Sequence, residues 1–332
     1  MRALLWVVLI AAAAWGGWWV IGSRTAESAA RTWFEERRAE GWTADYEALS
    51  VQGFPNRFDV MLQEPALGDP GGLVEWSAER ISLNALSYRP NHWIMVFPTR
   101  QRIETPLGAA GIVSADLRAS VVAVPDPSLP LDRVALVGRE VTLDVPGVSR
   151  SHMDGLRVAM ERVEGAETRY RLGLSAEALR PGSWIKARVD PEDRLPEMLE
   201  VFEARAEVET DRPVTLRPGA VPPQPRRIEV ETARMRWGGL ELAASSAVDV
   251  DADGMPEGEV RVEAAGWREM LAMVTALAGP QVEVTGGLER ALGLAAMLSG
   301  DPERIDLTLE LRGGRVWIGP LPIAPAPRIV LR

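Results

Sequence analysis

The chain has 332 residues, 46% of them hydrophobic and 25% charged, a composition typical of a folded protein with a substantial core. Its formal net charge of −10 argues against a nucleic-acid partner, because nucleic-acid phosphates are bound by basic surfaces. The absence of cysteine excludes disulfides and thiolate nucleophiles, and only two histidines are present to serve as metal ligands. We therefore expect no cofactor and no enzymatic activity.

Residues 3–22 form an apolar stretch without one charged side chain. As a helix it would be about 30 Å long, which is the thickness of the hydrocarbon core of a bilayer. Tryptophans gather toward its end, where indole rings suit the headgroup interface: Trp15, Trp18 and Trp19. We interpret residues 1–24 as a single-pass anchor in the inner (cytoplasmic) membrane, with the remaining chain in the periplasm. A signal peptide cleaved near the small residues 12–14 is the alternative.

Alanine, glutamate and arginine dominate residues 25–41, and opposite charges recur there at three- and four-residue offsets. This pattern predicts a helical stalk that continues from the anchor and ends at Gly41.

From residue 42 onward the period of the hydrophobic pattern changes to two. Apolar and polar side chains alternate in residues 57–63, 81–86, 140–145, 203–209, 259–264 and 305–312. Such alternation predicts antiparallel strands with one apolar face and one solvated face. Two later segments, 267–277 and 288–298, have helical spacing and are expected to pack on the sheet. The sequence PGAVPPQP at residues 218–225 cannot pair inside a sheet, so we divide the ectodomain into residues 42–220 and 221–332.

Turn signals also punctuate the strands. Pro90-Asn91, Asp253-Gly254 and Gly313-Gly314 are each predicted to form turns.

Two segments carry a resemblance to a known family: GFPNRFDVMLQEPAL at residues 53–67 and LSYRPNHWIMVFP at residues 86–98. They resemble the alphaproteobacterial envelope proteins grouped as domain of unknown function 2125. The strand-turn-strand rhythm of residues 235–267 and 307–327 is distantly similar to the AsmA-like envelope proteins. The resemblance implies a mainly β fold with a few helices: an N-terminal transmembrane helix followed by an elongated, curved antiparallel sheet, as a groove or an open barrel. It brings no catalytic residues with it.

The expected function follows from the anchor, the one-sided strands and this resemblance. We predict a non-enzymatic envelope protein that binds or guides lipid along an apolar sheet groove. The alternative is a protein-protein interaction scaffold whose core is closed and which has no lipid ligand. Expected partners are the bilayer, through residues 3–22, and a lipid ligand or envelope proteins. The groove would be lined by Phe58, Val60, Leu62, Ile305, Leu307, Leu309 and Leu311.

Three further parts of the sequence contain candidate site residues. Asp249, Asp251 and Asp253 match the opening of a calcium loop, but the twelfth position is Val260 and Asp-Gly is an ordinary hairpin turn, so we expect no metal. Ser151, His152 and Asp154 have the residue types of a hydrolytic triad, yet adjacent residues of one strand point to opposite faces, and we expect a loop histidine instead. His92 is expected in a turn.

A basic face for lipid phosphates is also conceivable, because arginine binds phosphate through two hydrogen bonds. It would consist of Arg57, Arg89, Arg100 and Arg102, although Glu75 and Glu104 would dilute it. The wet face of a sheet is the simpler interpretation.

Overall fold

The structure is a computed structural model that describes residues 2–106, 108–145, 149–217, 220–278, 286–298 and 300–331. The predicted fold class is confirmed: a long apolar N-terminal helix precedes a mainly antiparallel β fold. The helices are α1 (Arg2–Ala39), α2 (Ser183–Val189), α3 (Trp267–Ala278) and α4 (Gly286–Leu298).

Twenty strands are described, and the pairings between them that are reported below are antiparallel. The first ten are β1 (Thr43–Asp45), β2 (Ala48–Gln52), β3 (Arg57–Gln63), β4 (Ala66–Gly68), β5 (Glu75–Ala78), β6 (Arg80–Leu86), β7 (Arg89–Val96), β8 (Arg100–Thr105), β9 (Gly108–Val113) and β10 (Asp116–Ala123). The others are β11 (Leu131–Val145), β12 (Ser149–Arg162), β13 (Arg169–Glu177), β14 (Val201–Thr210), β15 (Pro225–Trp237), β16 (Leu240–Val250), β17 (Pro256–Ala265), β18 (Arg304–Arg312), β19 (Arg315–Ile318) and β20 (Leu321–Pro325).

Each stretch of alternating side chains forms a strand, and both segments with helical spacing are helices. The predicted turn at Pro90-Asn91 is wrong, because both residues lie in β7 and the chain turns at Ser87 and Tyr88 instead. The strand accommodates the proline close to an irregularity of the β6–β7 register between Ala85 and Leu86. The helix α2 was not anticipated.

The chain divides into two compact units. The first comprises residues 1–138, 143–146 and 216–220, and the second comprises residues 139–142, 147–215 and 221–332. Strand β11 has residues in both units, whereas the proline-rich segment near residue 220 lies where the chain returns to the second unit.

Helix α1 belongs to the first unit and joins the predicted anchor and stalk without a break over 38 residues. It ends close to the predicted position, because Gly41 has a positive φ of 87° and the last carbonyls of the helix accept N–H groups from Gly41 and Trp42. Near this end Phe34 is buried and packs edge-to-face on Tyr46, with 4.8 Å between the ring centroids.

The first unit contains two antiparallel ladders, in the orders β1-β4-β5-β8-β9 and β2-β3-β6-β7-β10. Their core takes side chains from both ladders and from α1: Phe34, Ala44, Leu62 and Ile81 are buried, and Trp33, Leu67, Trp76 and Phe97 pack around them. Burial of these side chains fixes the second half of α1 to the strands.

The second unit is a meander in which each strand from β12 to β20 pairs with the next. Its core lies between this sheet and the helices α3 and α4. Trp267, Met270 and Met273 of α3 and Ala296 of α4 are buried there together with Ile305 and Leu307 of β18. The two helices therefore pack on the sheet as their helical spacing predicted.

Candidate functional site: an apolar strip on the second unit

The registers of β12 to β18 place two rows of uncharged side chains, all apolar except Ser246, on one face of the meander, since directly opposed residues point to the same side. One row consists of Val158, Leu174, Ala204, Ala233, Ala244 and Val262. The next row consists of Leu172, Ala206, Val230, Ser246, Val260 and Leu309. We call these twelve residues the apolar strip. None of them carries a charge.

The opposite face of the same strands is charged. Arg171 pairs with Glu207 at 3.3 Å, and Arg261 pairs with Asp306 at 2.7 Å. Another ion pair joins Arg234 to Glu203 across two neighbouring strands. Alternation along each strand thus gives a sheet with one ion-paired face and one apolar face.

Helices cover the apolar face only in part. At one end α3 and α4 bury Ile305 and Leu307, which are 7% and 8% exposed. On β12 and β13, by contrast, Val158 and Leu174 remain 40% and 37% exposed. A filled core at one end of the face thus passes into a half-exposed apolar strip toward the other end.

The predicted groove residues fall into three environments. Phe58, Val60 and Leu62 are buried in the first unit, where β3 packs against α1. Ile305 and Leu307 are core residues under the helices, as described above. Leu309 lies in the apolar strip, and Leu311 is half-buried on the next row of the same face. The other strip residues were not predicted to line the groove, although the alternation at 203–209 and 259–264 contains four of them.

The calcium-loop look-alike is a hairpin turn between β16 and β17. The carboxylate of Asp251 accepts the N–H groups of Asp253 and Met255, both at 2.8 Å, and Asp249 accepts a hydrogen bond from Arg227 at 2.8 Å. These acidic side chains are used to close the turn and to pair with arginine.

His152 lies in β12, so the expectation of a loop histidine is wrong. Its Nε2 is 3.4 Å from Glu140 and 3.2 Å from Asp154, and its Nδ1 contacts Thr142 Oγ1 at 2.9 Å. Arg180 donates to Asp154 at 2.8 Å and holds the pKa of that carboxyl below its usual range.

This cluster is the one group of three or more potential metal ligands among the residues that the structure describes. The guanidinium of Arg180 places a positive charge beside the carboxylate that a metal would need, so the cluster is better suited to an ion-pair network. Ser151 does not contact His152 in it, because Ser151 Oγ accepts the N–H of Gly182 at 2.9 Å. The serine and the histidine face different partners, as expected for neighbours in a strand.

His92 is also a strand residue rather than a turn residue; it lies in β7 and its Nε2 contacts Ser120 Oγ at 3.0 Å. The arginines proposed as a basic face are separated: Arg57 and Arg89 both lie opposite Leu86 in their registers, whereas Arg102 is on β8 and pairs with Glu104 at 2.6 Å.

The protein is mainly antiparallel β, and its N-terminal helix is long and apolar enough to span a membrane. A family model described as "Uncharacterized protein conserved in bacteria (DUF2125)" matches residues 19–327, and the chain belongs to this family. The resemblance of the two N-terminal segments to domain of unknown function 2125 is thereby confirmed. Searches of curated proteins and of solved structures give no match. The AsmA-like resemblance stays a prediction.

Proposed function

We propose that this chain is a non-enzymatic protein of the bacterial envelope that is anchored in the inner membrane by α1. Its periplasmic part binds or guides lipid acyl chains along the apolar strip. The observation that carries the proposal is the uncharged strip, in which Val158 and Leu174 are 40% and 37% exposed while Val262 and Leu309 pack against the core under the helices. The other face of the same sheet carries ion pairs. In water such a strip favours contact with a hydrocarbon chain.

The dimensions of the strip suit this ligand. Each row crosses six strands, and because neighbouring strands lie about 4.8 Å apart, a row is about 24 Å long. An acyl chain spans about 15 Å in one leaflet, half of the hydrocarbon thickness, so a whole chain fits along a row.

The expected affinity is modest, because a strip covers only one side of a chain. Burying half the surface of about twelve methylenes gains about 5 kcal/mol at about 0.8 kcal/mol per fully buried CH₂. Because association also costs translational and rotational freedom, this gain sets a lower limit of about 0.2 mM on the Kd. An affinity in this range supports transient guidance of a chain rather than its storage.

The absence of an enzymatic role is part of the proposal. Its support is that both histidine rings already contact neighbouring side chains. His152 lies among Glu140, Asp154 and Thr142, and His92 contacts Ser120. Neither histidine has a serine and a carboxylate arranged as nucleophile and orienting group in the described part of the chain.

A second function fits the same surface: the strip could receive an apolar segment of an envelope protein, as the scaffold alternative states. The half-exposed Val158 and Leu174 on β12 and β13 favour this reading equally, since protein partners also cover apolar patches.

Polar substitution separates the two functions. The full chain is extracted in detergent, and co-purifying lipids are measured by mass spectrometry. Leu174→Asn places an amide in the strip at a half-exposed position, so we expect the folded yield to stay normal and the bound lipid to be lost. Leu129→Asn changes a residue that is 40% exposed in the first unit and should leave bound lipid unchanged.

Leu307→Asn tests a position in the closed core. It buries an amide without a partner and removes packing under the helices, so we expect a loss of about 2–5 kcal/mol and a low yield. Wild-type protein that carries no lipid, or Leu174→Asn protein that retains all of it, would contradict the lipid proposal. Loss of a co-purifying protein in Leu174→Asn, with no lipid in either sample, would favour the scaffold.

A further inference from the structure

Two turns of the first unit lie beside the apolar part of α1. Residues 53–56 connect β2 to β3, and Ser87 and Tyr88 connect β6 to β7. Trp15 donates from its indole nitrogen to the carbonyl of Pro55 at 3.1 Å, and Trp18 donates to the carbonyl of Ser87 at 3.4 Å. Both tryptophans belong to the 3–22 stretch that would cross the membrane.

The depth of this contact follows from helix geometry. Trp15 lies seven residues before Gly22, which is about 10 Å along the helix axis from the end of the apolar stretch. Segments that lie in the membrane interface are buried by about 5–10 Å. A turn that reaches Trp15 therefore reaches the level of the acyl-chain boundary when α1 spans the bilayer.

The side chains at the tips of both turns suit that environment. Phe54 is 63% exposed and Tyr88 is 60% exposed. One edge of Phe54 contacts Trp19, with 5.3 Å between the ring centroids, while most of its surface remains uncovered. Tyrosine is enriched where a membrane meets water, and phenylalanine is common on the apolar face of segments that lie in the interface.

The backbone of these turns is also adapted to low polarity, where unsatisfied carbonyls and N–H groups are costly. Three tryptophans of α1 supply donors to the carbonyls, since Trp19 donates to Arg57 at 2.7 Å in addition to the two bonds above. The N–H of Arg57 bonds to Gly53, and the N–H of Ser87 bonds to Asn56, both at 2.9 Å.

We infer that these two turns form a second membrane contact, in which Phe54 and Tyr88 insert into the lipid interface next to α1. The occupant of this surface is the bilayer itself. Arg57 and Arg89 lie opposite Leu86 at the same end of the ladder, and the side chain of Arg57 is 59% exposed but pairs with Asp59 at 2.5 Å. The inference rests on the proposed anchoring of α1 and assigns the first unit a fixed contact with the leaflet.

The chain contains no cysteine, so single-cysteine variants can carry one fluorophore each. Phe54→Cys, Asn56→Cys and Tyr88→Cys place an environment-sensitive NBD label on the turns, and Ile10→Cys places it inside the span. Leu73→Cys is the matched control: it is 64% exposed in another turn of the first unit, whose Pro70 lies beside Gly41. That turn is about 30 Å along α1 from Trp19.

The full-length variants are reconstituted into vesicles of phosphatidylethanolamine and phosphatidylglycerol that contain nitroxide-labelled lipid. We expect loss of fluorescence at residues 54, 56 and 88 with a shallow nitroxide, loss at residue 10 with a deep nitroxide, and none at residue 73. Quenching by lipid, unlike a spectral shift, is not produced by contact with the tryptophans of α1. Including Asn56→Cys keeps the test informative if removal of the Phe54 ring disturbs the turn.

The other outcomes overturn the inference in distinguishable ways. Quenching at residue 10 without quenching at the three turn positions would leave the anchor intact and refute the second contact. Quenching at residue 73 equal to that at the turns would show a general association of the unit with lipid and refute the assignment to these turns. A residue 10 label that lipid does not quench would refute the anchor, and the inference with it.

Discussion

Gly258 occupies a position of β17 that no other residue can take without displacement of the neighbouring strand. Its φ is +147°, outside the regions open to L-residues, and it lies opposite Val248 in the register with β16. A Cβ added at this position would lie 2.2 Å from the carbonyl oxygen of Ala247 and 2.9 Å from the Cα of Val248. Both atoms are backbone, so no side-chain rotation relieves the overlap.

Gly258→Ala is therefore expected to be strongly destabilising. The unfavourable φ costs about 1–3 kcal/mol, and the forced shift of a packed strand costs about 1–3 kcal/mol more. A loss of about 3 kcal/mol in a folding unit of about 150–250 residues lowers Tm by about 6–12 °C. Thermal unfolding of the detergent-solubilised full chain, followed by far-ultraviolet circular dichroism, measures this change.

Gly173→Ala is the matched control on β13. An added Cβ there meets no atom within 4 Å among the described residues. Because alanine restricts the unfolded chain more than glycine does, the control should keep or slightly raise the stability, by up to about 1 kcal/mol. A Gly258→Ala protein whose Tm equals that of Gly173→Ala would refute the close approach of β16 and β17 at this point.

Two further predictions concern polar groups of the second unit. Tyr170→Phe removes the hydroxyl that accepts the N–H of Val214 at 2.9 Å, so the free energy of unfolding in urea should fall by about 1–3 kcal/mol. Tyr88→Phe, at an exposed tyrosine, should change the free energy of unfolding by less than about 0.5 kcal/mol. Equal losses of stability in the two variants would contradict the role of the buried Tyr170 hydroxyl. Hydrogen bonding from Arg212 holds the pKa of Asp211 below its usual range in the folded protein. The ionised carboxylate therefore stabilises the fold at pH values above its ordinary pKa. This contribution is lost as the pH falls through the lowered pKa of the folded state. The stability of the wild type should therefore fall more steeply than that of Asp211→Asn between about pH 5 and about pH 2, and parallel curves would count against this assignment.

Features set by short-range patterns could be predicted from the sequence. The alternation of Val260 and Val262 with charged residues identifies β17, because side chains of a strand alternate between faces regardless of its partners. The end of α1 at Ala39, just before Gly41, is predictable for a similar reason, since glycine adopts the positive φ that terminates a helix.

Features that depend on contacts between different elements could not be predicted. Glu140 and His152 lie on different strands, and only the register brings their side chains to 3.4 Å. In the same way, alternation predicts that Leu307 and Leu309 share a face, but the packing of α3 and α4 decides that Leu307 is core and that Leu309 lies in the strip. The contact of Trp15 with Pro55 joins residues 40 positions apart and has no local signature.

The continuity of α1 joins the proposed membrane anchor to the strands of the first unit through a single unbroken helix. A helix of 38 residues is about 57 Å long, and its far end is locked to the strands through Phe34. Because no loop separates residues 3–22 from the part of α1 that holds the strands, a change in the tilt of residues 3–22 would turn the attached ladders by the same angle. The rotational phase matters equally, because each residue advances the helix by about 100°. One alanine inserted between Gly22 and Phe34 would therefore rotate residues 3–22 by about 100° relative to the strands that hold Phe34. A replacement of the proposed anchor should preserve the helical phase as well as the length.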